Sequence, residues 1–333
     1  MRPGYSDLYV REGERIICQL CRHYCQLREG QTGICGVNAN HEGGLKNLVY
    51  GKAAALHVDP VEKKPLYHFL PGSSTLSLGT VGCNLHCPFC QNWQISQTDD
   101  LSGAIEIRPA EVVALAQSYG CQSIAFTYNE PTIFYPFAKE IALQAKAEGL
   151  KSIFVSNGME SVEMIEDMQG VIDGFNIDLK SFDPAYYTKQ LKGSLEGVLD
   201  TLTKLVRKGF WVEVTTLVIP GENDSDEELQ QIAAFIAQEL GSAVPWHISA
   251  FHPDYKQMQK SVTPQQTLQR AREIGQRQGL KYIYLGNVAQ KSSTYCPVCH
   301  TAVVEREGYT VMAQHLVEGR CPTCNSEIEG IWR

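Results

Sequence analysis

The stretch TVGCNLHCPFCQNWQIS, residues 80–96, is where the chain is most informative. It places Cys83, Cys87 and Cys90 in the spacing Cys-x3-Cys-x2-Cys. Three thiolates this close can wrap one small metal centre. A single zinc or iron ion normally takes four ligands. A cubane iron–sulfur cluster instead offers four irons, each normally held by one thiolate. Three local cysteines therefore suit a cubane with one iron left open for another ligand. The plainer alternatives are three buried thiols, which seldom crowd into one loop, or a zinc site completed by His86 or a remote residue.

Outward from this loop the chain alternates. STLSLGT, at 74–80, reads as a strand feeding the cysteines, and a helix is expected over 109–119 with Pro109 in its first turn. Strand SIAFTY, a helix over 132–149, strand SIFVSNG and a helix over 161–168 follow. After them come strand GFNIDLK, a helix over 194–208, strand WVEVTTLVI, a helix over 225–240, strand HISAF, a helix over 264–279 and then YIYLG. Strand–helix alternation with short turns implies parallel strands. Six such units predict an α/β fold, a partial (β/α)6 TIM-like barrel over 73–290. A doubly wound open sheet is the rival, but the phosphate-binding glycine fingerprint is absent after the first strand. In parallel barrels the chemistry gathers at the carboxyl ends of the strands, which is where the cysteine loop falls. In the strand Asn176-Ile177-Asp178-Leu179-Lys180 the three polar residues share one face and the two aliphatics the other. With helices outside, Asn176, Asp178 and Lys180 are expected to point inward.

Two further cysteine groups flank this region. Residues 1–52 carry Cys18, Cys21, Cys25 and Cys35, enough for a complete site holding zinc or an auxiliary iron–sulfur cluster. That segment is glycine-rich and looks too small for much of a core, so a metal is expected to supply folding energy. Residues 53–72, with Pro60, Pro65 and Pro71, read as an extended connection. In the tail, 291–333, Cys296, Cys299, Cys321 and Cys324 form two Cys-x2-Cys knuckles at close to zinc-ribbon spacing. The proline inside each knuckle also suits a rubredoxin-like iron site. Cys121 stands alone and reads as a small buried apolar residue.

The 333 residues are 43% apolar and 20% charged, ordinary values for a globular chain. No run is long and apolar enough for a membrane span, and the N-terminus lacks the apolar core of a signal peptide. The cytoplasm is therefore expected, where cysteines are better read as metal ligands than as disulfides. The net charge of −8 counts against a broad nucleic-acid-binding face.

The cysteine loop, with Phe89 just before its last cysteine, resembles that of the radical S-adenosylmethionine (SAM) superfamily. The resemblance implies that Cys83, Cys87 and Cys90 hold a [4Fe-4S] cluster. Its open iron would chelate the amino and carboxylate groups of SAM. Reductive cleavage of SAM would then give methionine and a 5′-deoxyadenosyl radical. Thr127-Tyr128-Asn129-Glu130-Pro131 lies where the superfamily usually carries Gly-Gly-Glu, the element that receives the SAM amino group. Asn129 and Glu130 become candidate SAM contacts, although Tyr and Asn in place of the glycines leave the backbone less free. Asp178 and Lys180 resemble the Asp-x-Lys element of the glycyl-radical-activating enzymes, and LVIPGENDSD, 217–226, resembles their Pro-Gly turn. His252 resembles the histidine they place near the SAM ribose, and Phe89 would pack near the adenine. Those enzymes carry an arginine where this chain has Thr215, which sets their protein substrate in doubt here.

A fuller match is to the AmmeMemoRadiSam-system radical SAM enzymes. It is carried by CQLCRHYC with GICGV, KPLYHFLPG at 64–72, FTYNEPT, WHISAFHPDY and the terminal CPVC, CPTC and GIW. It implies AMMECR-type and Memo-type partners and an electron donor such as flavodoxin or ferredoxin. The expected activity is SAM cleavage followed by hydrogen abstraction from an unnamed substrate, or the activation of a glycyl-radical partner. A metal-stabilised binding module and an iron–sulfur electron carrier are the rivals from other classes. Each polar candidate also has a purely structural reading: an internal salt bridge for Asp178 and Lys180, a core hydrogen bond for His247 or His252, and a turn for Asn157.

Overall fold

The computed structural model describes residues 2–289 and 291–333. Its centre is an eight-stranded, mostly parallel sheet in sequential order. The strands are β1 (Ala55–Pro60), β2 (Ser74–Gly79), β3 (Ser123–Phe126), β4 (Lys151–Ser156), β5 (Gly174–Asp178), β6 (Trp211–Val218), β7 (Trp246–Ala250) and β8 (Ile283–Gly286). Strands β2 to β8 are parallel, and β1 joins the edge antiparallel to β2. Part of the extended connection expected over 53–72 is thus a strand of the sheet itself.

Helices α1 (Pro109–Ser118), α2 (Tyr135–Ala147), α3 (Val162–Asp167), α4 (Leu195–Arg207), α5 (Asp226–Phe235) and α6 (Gln265–Arg277) fill the connections. Their starts are set by local chemistry. Ser161, Ser194 and Ser225 each accept the N–H three residues on, at 3.0, 3.1 and 3.2 Å, which satisfies a backbone donor the helix cannot. Two expected helices differ. The one expected over 132–149 opens with a 3-10 turn, Pro131–Phe134, before α2, and the one over 225–240 widens after Phe235 into a π turn, Ile236–Gly241.

The two faces of the sheet separate as the alternation requires. Phe175, Ile177 and Leu179 are fully buried in the main core, with Phe154 and Val214. On the opposite face the register aligns Asn176 with Glu213, and Asp178 with Thr215 and His247. The amino-terminal half of this face is covered by residues 61–70: Val61, Leu66, Phe69 and Leu70 pack on Ala125 and Ile153, with Ile331 of the tail against them. A side chain at Gly174 would lie 2.7 Å from the Phe69 ring, so glycine is what permits the approach. Glu213, fully buried, accepts from the Tyr67 and His68 N–H groups at 3.0 and 2.8 Å and pairs with His247 at 2.6 Å. His247 is a hydrogen-bonded core residue. With the lower half plugged, the carboxyl ends of the strands are left for a site.

The flanking segments are not detached. Ile16, Leu27, Val37 and Leu45 belong to the main core, and Asn38 and Asn47 both donate to the Ile133 carbonyl, at 2.7 and 2.8 Å. The expectation that residues 1–52 lack a core is corrected: they borrow the central one. In the tail, Arg306 is buried, donates to the Tyr67 carbonyl at 2.5 Å and faces Glu62.

Candidate active site

The loop after β2 runs across the carboxyl ends of the strands and borders a cavity of about 440 Å³. Cys83, Cys87 and Cys90 all line it, with Phe89, Asn129, Asp178 and Lys180. Burial raises the Cys83 thiol, and the negative charges of Glu130 and Cys87 raise it further. Burial likewise pushes Cys87 up to about 12, with Lys180 opposing. Buried thiols that raise one another are ill placed as free thiolates. They suit a positively charged centre that takes all three at once.

The loop is held in shape from β3. Asn129 accepts the Thr80 N–H at 3.2 Å and donates to Thr80 Oγ1 and to the Gly82 carbonyl, both at 3.0 Å. Asn92 donates to the Tyr128 carbonyl at 2.8 Å. Tyr128 has φ of 71°, a left-handed conformation costly for an aromatic residue. The chain thus keeps the positive φ with a side chain present, and Tyr128 itself lines the cavity.

Lys180 and Asp178 meet at 2.6 Å. Burial pulls the Lys180 ammonium down, but the charges of Asp178 and Cys87 outweigh it and leave it well above its ordinary value. Thr215 faces the same cavity and donates to Asn176 at 2.9 Å. Asn157 both shapes its turn, accepting the Met159 N–H at 3.1 Å, and lines the cavity.

Two of the expected SAM contacts, Glu130 and His252, do not themselves line this cavity. Glu130 is fully buried behind the wall, and its carboxylate accepts from Thr132 N and Oγ1 at 3.0 and 2.6 Å, from Ser156 at 2.8 Å and from Asn157 N at 2.8 Å. Those bonds tie the end of β3 to the end of β4. His252 is exposed and reaches the cavity through Gln91, at 2.8 Å. Sequence reasoning also missed residues that do line the cavity: Lys63 and Lys64 from the connection, Ser249, Asn287, and Tyr309 from the tail hairpin Ala302–Glu307 and Thr310–Gln314. No spacing brings Tyr309 to the cavity that Cys83 lines; the docking of the hairpin, with Val311 against Gly72, does so. Glu160 was missed too. It is fully buried, and its carboxyl, with no hydrogen-bond partner, is raised to about 7 by burial and then by the Glu130 charge.

The tail cysteines close on each other. Cys296 lies 3.5 Å from Cys324, and Cys299 3.5 Å from Cys321. All four sulfurs fall within 4.8 Å of one another. The knuckles are alike: His300 and Asn325, both at φ 60°, donate back to the Cys296 and Cys321 carbonyls at 3.0 and 2.9 Å. A bond to the Thr301 hydroxyl, then its N–H, lowers the Cys299 thiol to about 6. Four thiols in this arrangement fit one tetrahedral ion.

Residues 77–235 match the family description "Radical SAM superfamily". An uncharacterized protein of Methanocaldococcus jannaschii is 38% identical over 323 residues, 96% of each chain. The chain belongs to the radical SAM superfamily. Membership implies SAM and a [4Fe-4S] cluster, and the three cavity cysteines supply the donor set such a cluster needs. The benzylsuccinate synthase activating enzyme of Thauera aromatica is 25% identical over 130 residues, 39% of each chain. A radical SAM methyltransferase from Sphaerobacter thermophilus superposes with a TM-score of 0.51 at 15% identity, covering 65% of this chain and 67% of that one, and so shares the fold. Among the described residues no helix is long and apolar enough to cross a membrane.

Proposed function

We propose that this radical SAM protein is an enzyme that cleaves SAM reductively and uses the radical to take a hydrogen atom from a substrate in the same cavity. The observation that supports this most is the meeting of Cys83, Cys87 and Cys90 with the Asp178–Lys180 pair in one cavity. A [4Fe-4S] cluster on these cysteines, with SAM bound, would supply one electron to split the sulfonium into methionine and a 5′-deoxyadenosyl radical. The sheet is then the partial (β/α)6 barrel of the superfamily, its lower half plugged by residues 61–70. Lys180 and Asp178 offer a cation and an anion to the carboxylate, ammonium or ribose hydroxyls of SAM. Phe89 offers an apolar wall for the adenine. Asn129 holds the cysteine loop. Glu130 acts through Thr132, Ser156 and Asn157 rather than by contact, and His252 through Gln91.

Within the superfamily we assign the chain to the AmmeMemoRadiSam-system enzymes, with AMMECR-type and Memo-type partners and a flavodoxin- or ferredoxin-type donor. Support comes from the flanking motifs CQLCRHYC, KPLYHFLPG and WHISAFHPDY. The tail quartet is assigned to zinc. Partial likeness to an activating enzyme favours a second reading, in which the hydrogen comes from a partner protein; Thr215, where those enzymes carry arginine, weighs against it. Anaerobic protein mixed with SAM and dithionite tests the proposal: 5′-deoxyadenosine release supports it. Reversible reduction without SAM cleavage would leave an electron carrier, and zinc without sulfide a binding module.

A further inference from the structure

The two cysteine groups outside the cavity differ in how far apart their sulfurs stand. Around a single zinc ion, Zn–S bonds of about 2.3 Å place tetrahedral sulfurs about 3.8 Å apart. The tail quartet satisfies this, and among the described residues it is the one such group with all ligand atoms within 4.8 Å. Cys18, Cys21, Cys25 and Cys35 are gathered too. The Cys18 N–H donates to the Cys25 carbonyl at 3.0 Å, and a Cβ at Gly33, two residues before Cys35, would lie 3.4 Å from Cys25 Sγ. Yet these four, all among the described residues, do not form a group whose ligand atoms fall within 4.8 Å of one another as the tail's do. A cubane, with an iron at each of four corners, sets its thiolates further apart than one ion does.

The N-terminal group also sits directly on the cavity loop. Gly82, next to Cys83, has φ of 88°, and a Cβ there would lie 2.6 Å from the Cys35 carbonyl. His23 hydrogen-bonds the Asn84 carbonyl at 2.8 Å. The Asn84 side chain is fully buried between the two groups. Its Oδ1 accepts from Asn157 at 2.7 Å. Its Nδ2 has no hydrogen-bond partner, and the residue lies between Cys83, whose Sγ is 3.9 Å from Asn84 Oδ1, and the Cys21–His23 turn that holds its carbonyl. A buried N–H without a partner is costly. A sulfur carrying negative charge, as thiolate or cluster sulfide, is the acceptor at hand.

We propose that Cys18, Cys21, Cys25 and Cys35 hold a second iron–sulfur cluster of the four-iron type, joined through Asn84 to the cluster site of Cys83, Cys87 and Cys90. The coupling, though not the second cluster itself, rests on the function proposed above. A reduced flavodoxin- or ferredoxin-type donor is oxidised by one electron, the N-terminal cluster is reduced by it, and the same electron passes to the oxidised cluster at the cavity. Asn84 is a positioning residue whose N–H bond to sulfur favours the reduced cluster.

Acid-labile sulfide counts clusters without counting zinc, so the test uses the full chain, reconstituted anaerobically. Wild-type protein is expected to hold about eight sulfides per chain, two cubanes of about four each. The Cys83→Ala/Cys87→Ala/Cys90→Ala variant is expected to keep about four, with the paramagnetic signal of a reduced cluster. Adding Asn84→Ala to that variant should move the remaining cluster's midpoint potential to a more negative value, since hydrogen bonds to sulfur tune it. Zinc with no sulfide in the triple variant, or about four sulfides in wild type all lost with Cys83, Cys87 and Cys90, would overturn the second cluster and leave the first standing. About four sulfides in wild type, all retained by the triple variant, would keep the N-terminal cluster and remove the one at the cavity. An unmoved potential would remove the role of Asn84.

Discussion

The tail and the N-terminal segment each spend four cysteines, and the structure uses them differently. In the tail, two matched knuckles bring the sulfurs into contact around a point, and the hairpin beside them lends Tyr309 to the cavity wall. At the N-terminus the four sulfurs do not all fall within 4.8 Å of one another, and the loop bearing Cys35 presses on Gly82. The lesson is that cysteine count says little. How tightly the backbone draws the thiols together, and what lies against them, separates an ion that folds a small segment from a centre that serves chemistry.

The largest expected effect lies on the tail side. Cys296→Ser/Cys321→Ser should release about one metal ion per chain, and binding worth on the order of 10 kcal/mol to such a site is folding free energy. The hairpin 302–314 should then lose its protection from hydrogen exchange while sulfide content stays unchanged. Sulfide lost along with the tail metal would erase the difference between the two groups.

At the cavity, a charge-assisted hydrogen bond is worth about 1.5–3 kcal/mol. Lys180→Ala is therefore expected to weaken SAM binding roughly ten- to a hundredfold with iron retained. Wild-type affinity in the folded, iron-replete variant would leave Lys180 as half of an internal salt bridge only.

The contact between the N-terminal and cavity loops can be pressed directly. Gly82→Ala adds a methyl at 2.6 Å from the Cys35 carbonyl and forces a left-handed φ on alanine. A loss of roughly 1–3 kcal/mol of stability is expected, read from denaturant midpoints under anaerobic conditions. No loss would mean that the two loops are not pressed together.

Smallest is a pH effect. Glu160 has a folded value of about 7 against an ordinary 4.5, raised by burial and by Glu130. A carboxyl raised on folding binds its proton more tightly folded than unfolded. Its contribution is complete below about pH 4.5 and is lost as pH rises through 7. Glu160→Gln should flatten stability across that window; an unchanged slope would show that Glu160 titrates normally.

Much of this was legible in the sequence. The strand–helix alternation, the polar stripe Asn176–Asp178–Lys180 and the tail knuckles all express local periodicity or spacing, and each lies in the structure where its pattern places it. What stayed hidden depends on distant partners. That β1 joins the sheet is a matter of pairing, which proline content obscures. Glu130 matched a motif position, but its carboxylate was already committed to Thr132, Ser156 and Asn157. The N-terminal segment looked coreless because the core it uses belongs to residues a hundred positions on. Tyr309, Glu160 and the N–H of Asn84 carry no signal in their own neighbourhoods.

The most direct measurement is 5′-deoxyadenosine formation by anaerobically reconstituted protein with SAM and dithionite, wild type beside Cys87→Ala. Wild type is expected to release 5′-deoxyadenosine and methionine in equal amounts, and Cys87→Ala none above background. Release at the wild-type rate by Cys87→Ala, or none by an iron- and sulfide-replete wild type, would contradict SAM cleavage at the cavity cysteines.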